Sequence, residues 1–469
     1  MAELRFRPPR MRPVRLYGRR WWGLRAPLAR PPVVLVLGFA ALIAVGTLAL
    51  LLPISVHPGG HADLLTALFT STSAVCVTGL VVVDTGPFWS PFGQAVILVL
   101  MQVGGLGFVI GATALALLLG RRVSIRQRVI LEEIGSATNL GGSVLIVRAV
   151  LFTLGCEAVG AALLWTRFAA RFGVGYGLWL AVFHAVSAFT NGSFDLMGEG
   201  GKSFADYRAD PLVLLTIAAL IIMGGLSFLT VQETVKVRRW RRLSLDSKMV
   251  LLGTPLLLLG GTALLFLTEK DNPVSLGGRP LPEQALNAFF HSAAARTSGF
   301  TTWDFSRSDP RGLFFLLGLM FIGGAPGSMA GGIKITTAGA IVAGVWGTVR
   351  GNAEPSLLAR RLAPGQLAQA LSVAVLALAL ILNVTLAISL IEGPRLRLPF
   401  LNLLFEVTSA FGTVGFSAGV TAQLSAASKV LLILTMFVGR LGPVTAATAL
   451  AARHHAAPYR LPSEPIRIG

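Results

Sequence analysis

FTSTSAVCVTGL (Phe69–Leu80), FHAVSAFTNGSF (Phe183–Phe194), FHSAAARTSGF (Phe290–Phe300) and FEVTSAFGTVGF (Phe405–Phe416) are four versions of one phrase. Each opens on phenylalanine, runs through small residues and reaches a glycine: Gly79, Gly192, Gly299 and Gly415. Each sits between two apolar stretches. A cation stripped of its water needs oxygen ligands on every side, and four glycine-ended loops can supply four walls. One such loop alone would equally fit a kinked helix or small-residue helix packing. Four copies at the same place in a repeat favour the loop.

The repeat continues downstream. After each phrase comes an apolar stretch with a small-residue centre: VGGLGF (Val103–Phe108), MGGLSF (Met223–Phe228), IGGAPG (Ile322–Gly327) and VGRLGP (Val438–Pro443). From phrase glycine to the second position of the doublet the spacing is 26, 33, 25 and 25 residues, the longer one holding a polar insert at Gly198–Ala209. An internal period fixes the architecture. The unit is apolar span, re-entrant loop, apolar span. The spans before the loops read as Val33–Leu52, Val144–Trp165, Met249–Leu267 and Ala368–Ile391. Those after them read as Phe92–Leu119, Pro211–Val231, Gly312–Ala343 and Val430–Ala451. The expected fold is an all-α polytopic membrane protein in pseudo-fourfold arrangement, with eight transmembrane helices and four re-entrant pore helices. A basic tail (1–31) precedes unit one (32–120), unit two (121–235), unit three with an intramembrane loop (236–349) and unit four with a C-terminal tail (350–469).

Composition supports this. The chain is 54% hydrophobic and 13% charged, with a mean hydropathy of +0.72. A soluble domain of 469 residues carries about twice that share of charge. Several stretches reach the roughly 20 apolar residues that a crossing helix needs. The formal net charge of +19 points elsewhere only at first sight. Basic residues cluster at Arg5–Arg30, Arg121–Arg128, Lys236–Arg242 and Arg350–Arg361, and the acids fall mostly in the alternate connections. That asymmetry places both termini in the cytoplasm. The basic clusters are short and lack interleaved aromatics, which argues against nucleic acid. Cys76 and Cys156 sit in apolar surroundings and read as small buried residues. Residues 1–31 are too polar for the h-region of a cleaved signal.

Within each loop, helix-compatible residues give way to polar or small ones. Non-helical backbone at membrane depth persists only where protein packs it or water lines it. The C-terminal end of a short helix offers partial negative charge to a cation, and extended backbone after it offers carbonyls. Glycine reaches the left-handed φ that aims successive carbonyls one way.

With these residues the chain resembles the Trk/Ktr/HKT superfamily of potassium transporters, from about Pro32 to the C-terminus. It lacks the two additional N-terminal helices of the Trk branch and is most similar to KtrB-type membrane subunits, including the closing YRLPSEPIRIG. The resemblance implies potassium against the carbonyls of the two residues before each filter glycine: Val77 and Thr78, Thr190 and Asn191, Thr297 and Ser298, Thr413 and Val414. Relatives with serine at the first filter glycine carry sodium prominently. All four glycines here imply potassium as the main ion. Only Thr413–Phe416 is close to the potassium-channel signature, which implies weaker selectivity than a true fourfold channel. The resemblance also implies a homodimer and a cytosolic RCK-type regulatory ring (KtrA-like) that binds ATP or ADP. It implies no tightly bound cofactor; potassium is the cargo, with sodium as a candidate activator. The clusters Arg121–Arg128 and Lys236–Arg242 suit that ring or anionic membrane lipid, and equally plain topology signals.

Unit three departs most from the pattern. Its second span is interrupted by Gly323, Gly324, Ala325, Pro326, Gly327, Ser328, Met329, Ala330, Gly331 and Gly332. Such a run cannot continue a helix. Unit four has Arg440 where units one and two have Gly105 and Gly225. Burying an arginine at membrane depth is expensive. Arg440 is therefore expected to bond loop carbonyls or repel cations, and the resemblance assigns gating to both. A structural arginine satisfying helix ends is the alternative.

The glycine runs follow no strand of a βαβ unit, so nucleotide binding is not indicated. His184 and His291 share one repeat position and read as packing or local hydrogen-bonding groups rather than metal ligands. Glu157 reads as a helix contact, with proton coupling weakly supported, and Glu406 as a carboxylate near a helix N-terminus. No nucleophile–base pair suggests an enzyme. Two alternatives remain: a sodium-permeable HKT-like transporter, or a non-conducting membrane receptor or scaffold.

Overall fold

The computed structural model of the chain describes residues 31–118, 140–197, 204–351, 355–396 and 398–442. The tail 1–30, the cluster Arg121–Arg128 and the closing YRLPSEPIRIG lie outside the described residues.

The described chain is overwhelmingly helical. One-turn helices aside, unit one holds α1 (Pro31–Leu50), α2 (Leu64–Val75) and α3 (Pro91–Leu118). Unit two holds α4 (Leu140–Phe172), α5 (Val174–Phe189), α6 (Pro211–Gly225) and α7 (Phe228–Val237). Unit three holds α8 (Leu245–Glu269), α9 (Leu281–Ala294), α10 (Pro310–Phe321) and α11 (Ile335–Val349). Unit four holds α12 (Gln366–Glu392), α13 (Phe400–Gly412) and α14 (Ala426–Leu441). The short helices α2, α5, α9 and α13 are the four phrases. Their opening residues, Phe69, Phe183, Phe290 and Phe405, are all fully buried.

Packing is cyclic. Within units, α1 packs on α2, α4 on α5, α8 on α9 and α12 on α13. Between units, α3 packs on α5, α6 on α9, α10 on α13, and α14 returns to α2. The fourth unit thus closes on the first.

The starts of the downstream helices share one device. Ser90-Pro91, Asp210-Pro211 and Asp309-Pro310 each place a capping oxygen before a proline, and Ser425 does the same without it. Their side chains accept from Gly93 N at 3.3 Å, Leu212 N at 2.9 Å, Arg311 N at 2.7 Å and Ser428 N at 3.5 Å. Proline's missing N–H costs nothing at this position. The Arg311 side chain also bonds Asp309, holding its carboxyl below the ordinary value. Two buried carboxylates tie this turn to the preceding long helix. Glu269 accepts from Asp309 N at 2.9 Å, and Glu392 accepts from Ser425 N at 2.8 Å.

The outer surface is apolar, unlike that of a soluble protein. The long outer helices turn leucines outward; Leu256 is 73% and Leu390 is 70% exposed. The interior holds hydroxyls and imidazoles, including Ser71, Ser73, His184, Ser187, His291 and Ser409, all fully buried. An apolar outer surface suits a hydrocarbon surrounding, and buried polar groups there must find partners within the protein. Among the described residues, α4 (over Ile146–Phe172), α8 and α12 are each long and apolar enough to cross a membrane. The pair α6 and α7 qualifies as one broken span bent by 88°. This bend was not anticipated; Pro211–Val231 read as one continuous span. At Leu226 and Ser227 the backbone turns extended.

Candidate functional site

The C-terminal ends of α2, α5, α9 and α13 converge, and the backbone after each passes through one left-handed non-glycine residue. Val77, Asn191, Thr297 and Thr413 have φ of +56°, +59°, +76° and +49°. Four non-glycine residues in the left-handed region is costly and rare. Two positions on, Gly79, Ser193 and Gly415 have φ of +84°, +62° and +93°.

These angles set the register. Ser193, not Gly192, stands in unit two where Gly79, Gly299 and Gly415 stand in the others. The hydrogen bonds agree. Thr78 N, Gly192 N and Val414 N donate to Ser73 O at 2.7 Å, Ser187 O at 2.6 Å and Ser409 O at 2.9 Å. In this register the two residues before the aligned position of unit two are Asn191 and Gly192, one residue on from the Thr190 and Asn191 of the glycine alignment, and Ser187 stands where Ser73 and Ser409 stand. Ser73 and Ser409 also accept from Gly79 N at 3.0 Å and Gly415 N at 3.1 Å. Ser187 donates instead to Phe194 O at 2.8 Å.

A second set of side chains braces the chain beyond the turn. His184 Nε2 stands 2.8 Å from Asp195 Oδ1, His291 Nε2 accepts from Thr302 N at 3.1 Å, and Glu406 accepts from Ser417 Oγ at 2.9 Å. All three follow the opening phenylalanine, so this position is a strut between short helix and extended segment. The histidines bond locally, and no cluster of metal-ligating side chains occurs among the described residues.

The segments meet one another at close range. Asn191 and Thr297 side chains approach to 2.9 Å. A methyl built on Gly415 would collide with Thr78 O, and one on Gly299 with the Gly415 carbonyl carbon. Buried hydroxyls of Thr78, Ser298 and Thr413 have no hydrogen-bond partner in the structure. Unpaired buried oxygens call for an occupant such as a cation or water.

The glycine doublets seat the downstream helices against these ends. A methyl on Gly104, Gly224 or Gly439 would collide with Val75 O, Phe189 O or Phe411 O, the carbonyls at the ends of α2, α5 and α13. Only hydrogen fits there.

The ten residues 323–332 form the loop between α10 and α11. Its neck is closed by Gly323 N donating to Ile333 O at 2.9 Å and Ile333 N donating to Phe321 O at 3.2 Å. Its body hangs from the break between α6 and α7. Ala325 N donates to Gly225 O at 3.0 Å and Met329 N to Gly224 O at 3.1 Å. The broken helix of unit two thus frees the carbonyls that hold the loop of unit three. Ala325, Ser328, Met329, Ala330 and Gly331 are buried, whereas Pro326 is exposed. The loop lies against the convergent segments: a methyl on Gly331 would strike Thr413 Oγ1, and Thr297 Cγ2 lies 3.4 Å from one on Gly323.

Arg440, only 2% exposed, reaches this loop. Its guanidinium donates to Met329 O and, at 3.4 Å, to Gly104 O. Two further cations were not anticipated. Lys334 Nζ donates to Ala330 O at 2.5 Å, and buried Arg296 donates to Gly323 O at 3.4 Å. Arg296 interrupts a small-residue phrase (AAARTSG), a visible signal. Glu157 accepts from Gln102 at 3.0 Å, a contact between units one and two.

Comparison with known proteins gives a consistent picture. The family model for TrkH, described as cation transport protein, matches residues 33–458. Ktr system potassium uptake protein B of Bacillus subtilis is 38% identical over 419 residues, covering 88% of this chain and 92% of the relative. Potassium/sodium uptake protein NtpJ of Enterococcus hirae is 33% identical over 442 residues, covering 94% and 97%. Among solved structures, the potassium transporter TrkH from Vibrio parahaemolyticus matches with a TM-score of 0.71 at 18% identity, over 92% of this chain and 86% of that one. That likeness speaks to the fold.

Proposed function

Because the chain belongs to the TrkH family of cation transport proteins, a family of transporters and not of enzymes, we propose that it carries potassium into the cell across the cytoplasmic membrane. The cation passes between the segments 77–79, 191–193, 297–299 and 413–415, using backbone carbonyls in place of its hydration shell. The observation that carries this reading is the convergence of four left-handed backbone turns, with unpartnered hydroxyls, in the interior of a molecule whose long helices turn apolar side chains outward. Eight crossings with both termini cytoplasmic, in the four units read from the sequence, accommodate this path. Membrane potential drives the ion inward.

The loop 323–332 is the gate in this reading and Arg440 its latch. The loop lies against the segments 297–299 and 413–415 and hangs from bonds that movement can break. Its tip, Gly327–Met329, borders a crevice lined by Phe152, Met223 and Phe228. The name of the Bacillus relative places that protein in a multi-component system. A homodimer controlled by an ATP- or ADP-binding RCK-type ring follows as the assembly, with the exposed residues Arg239–Arg242 as its contact.

Sodium permeation is a second reading. Ser193 stands at a filter glycine position, and the Enterococcus relative is named for both ions. Flux with potassium or sodium as the only cation separates the two. The basic test is growth of a potassium-uptake-deficient bacterium at low potassium. Rescue by the chain, with its regulatory partner supplied, is expected. Absence of rescue with both proteins present in the cell contradicts the reading.

A further inference from the structure

Ser193 touches three units other than its own. Its Oγ accepts from Gly299 N at 2.6 Å and donates to Val414 O at 2.7 Å. A methyl built on Gly79 would collide with Ser193 Cβ, and one on Gly415 would stand 2.6 Å from Cβ and 2.9 Å from Oγ. In a closed ring of four units, a side chain of unit two that meets units one, three and four lies on the central axis. It is a side chain where the other units have none, held at a φ of +62° that serine rarely adopts.

We propose that Ser193 is a plug at the level of the filter, a rate-limiting side chain distinct from the loop below. The inference rests on the reading of the four segments as an ion path. Its methylene fills the axis. Its hydroxyl proton engages Val414 O, so that carbonyl is turned to the serine and away from a cation. Conduction then requires the side chain to swing aside, exchanging Gly299 N and Val414 O for the ion, to which the hydroxyl oxygen adds one ligand. The other three positions carry no side chain and need no such step. Ser193 therefore limits the rate of passage whenever the loop is open.

The test is rubidium uptake into proteoliposomes holding the wild-type chain, Ser193→Gly and Ser193→Thr, each checked for a single symmetric elution peak. Glycine tolerates the backbone angle better than serine, so the first variant carries no folding risk from strain. Its expected effect is a roughly three- to tenfold faster uptake, the factor equivalent to one hydroxyl-to-carbonyl hydrogen bond. Ser193→Thr adds a methyl on the axis and is expected to slow uptake. A wild type that conducts beside an equal or slower Ser193→Gly overturns the plug and leaves the transport reading intact. No uptake by any of the three, each repeated with Arg440→Ala to open the loop, overturns both.

Discussion

Replacing Arg440 with alanine is the most informative perturbation of the gate. In the structure its guanidinium donates to Met329 O within the loop and, at 3.4 Å, to Gly104 O of unit one. A charge-assisted hydrogen bond is worth about 1.5–3 kcal/mol. Counting only the bond made to the loop, Arg440→Ala weakens the closed loop by roughly 1.5–3 kcal/mol. At about 1.4 kcal/mol per factor of ten, the closed-to-open ratio falls by roughly ten- to a hundredfold. Flux rises by less, since it saturates once the loop is mostly open. The assay is rubidium uptake into proteoliposomes, with melting in detergent as a control on folding. Arg440→Lys separates two mechanisms. Lysine keeps the charge but loses the planar fork, so a latch made of hydrogen bonds is partly released whereas a purely electrostatic barrier stays intact. Unchanged or slower uptake by well-folded Arg440→Ala refutes the latch.

Further outcomes are expected elsewhere. Deleting 326–328 from the loop tip shortens the gate and raises rubidium uptake; equal uptake argues against the loop as gate. Gly224→Ala drives a methyl into Phe189 O and is expected to cost about 1–3 kcal/mol, read as a lower melting temperature in detergent. Ser409→Ala strips Gly415 N of its acceptor and is expected to reduce the potassium-over-sodium flux ratio at nearly unchanged melting. Glu392→Ala removes the acceptor for Ser425 N, Ser425 Oγ and Ser428 Oγ and is expected to lower the melting temperature, while Glu392→Gln recovers part of it.

Much of this arrangement is legible in the sequence, because bilayer physics writes large signals. Apolar length, alternating charge and a fourfold phrase each mark the architecture, and GGAPGSMAGG is visibly unable to remain helical. Finer features are harder to see for identifiable reasons. The bend between α6 and α7 lacks a proline; its cause is tertiary, since the freed carbonyls of Gly224 and Gly225 are satisfied by Met329 N and Ala325 N a unit away. The register of unit two misleads when glycines are aligned, because TNGSF offers Gly192 one residue early. Counting from Phe183, or noticing Ser187 in the place of Ser73 and Ser409, finds Ser193. Arg296 and Lys334 escape notice because an isolated cation in sequence does not say that a loop carbonyl will face it. The strut formed by His184, His291 and Glu406 hides because three chemically different side chains do one job.

The central claim is that this chain itself conducts potassium. The direct measurement is uptake of radioactive rubidium by proteoliposomes loaded with potassium and diluted into a potassium-free medium. The account predicts uptake well above protein-free vesicles, abolished by added external potassium and unaffected by a large organic cation. Uptake indistinguishable from protein-free vesicles, for protein whose loop has been opened by Arg440→Ala, would contradict it.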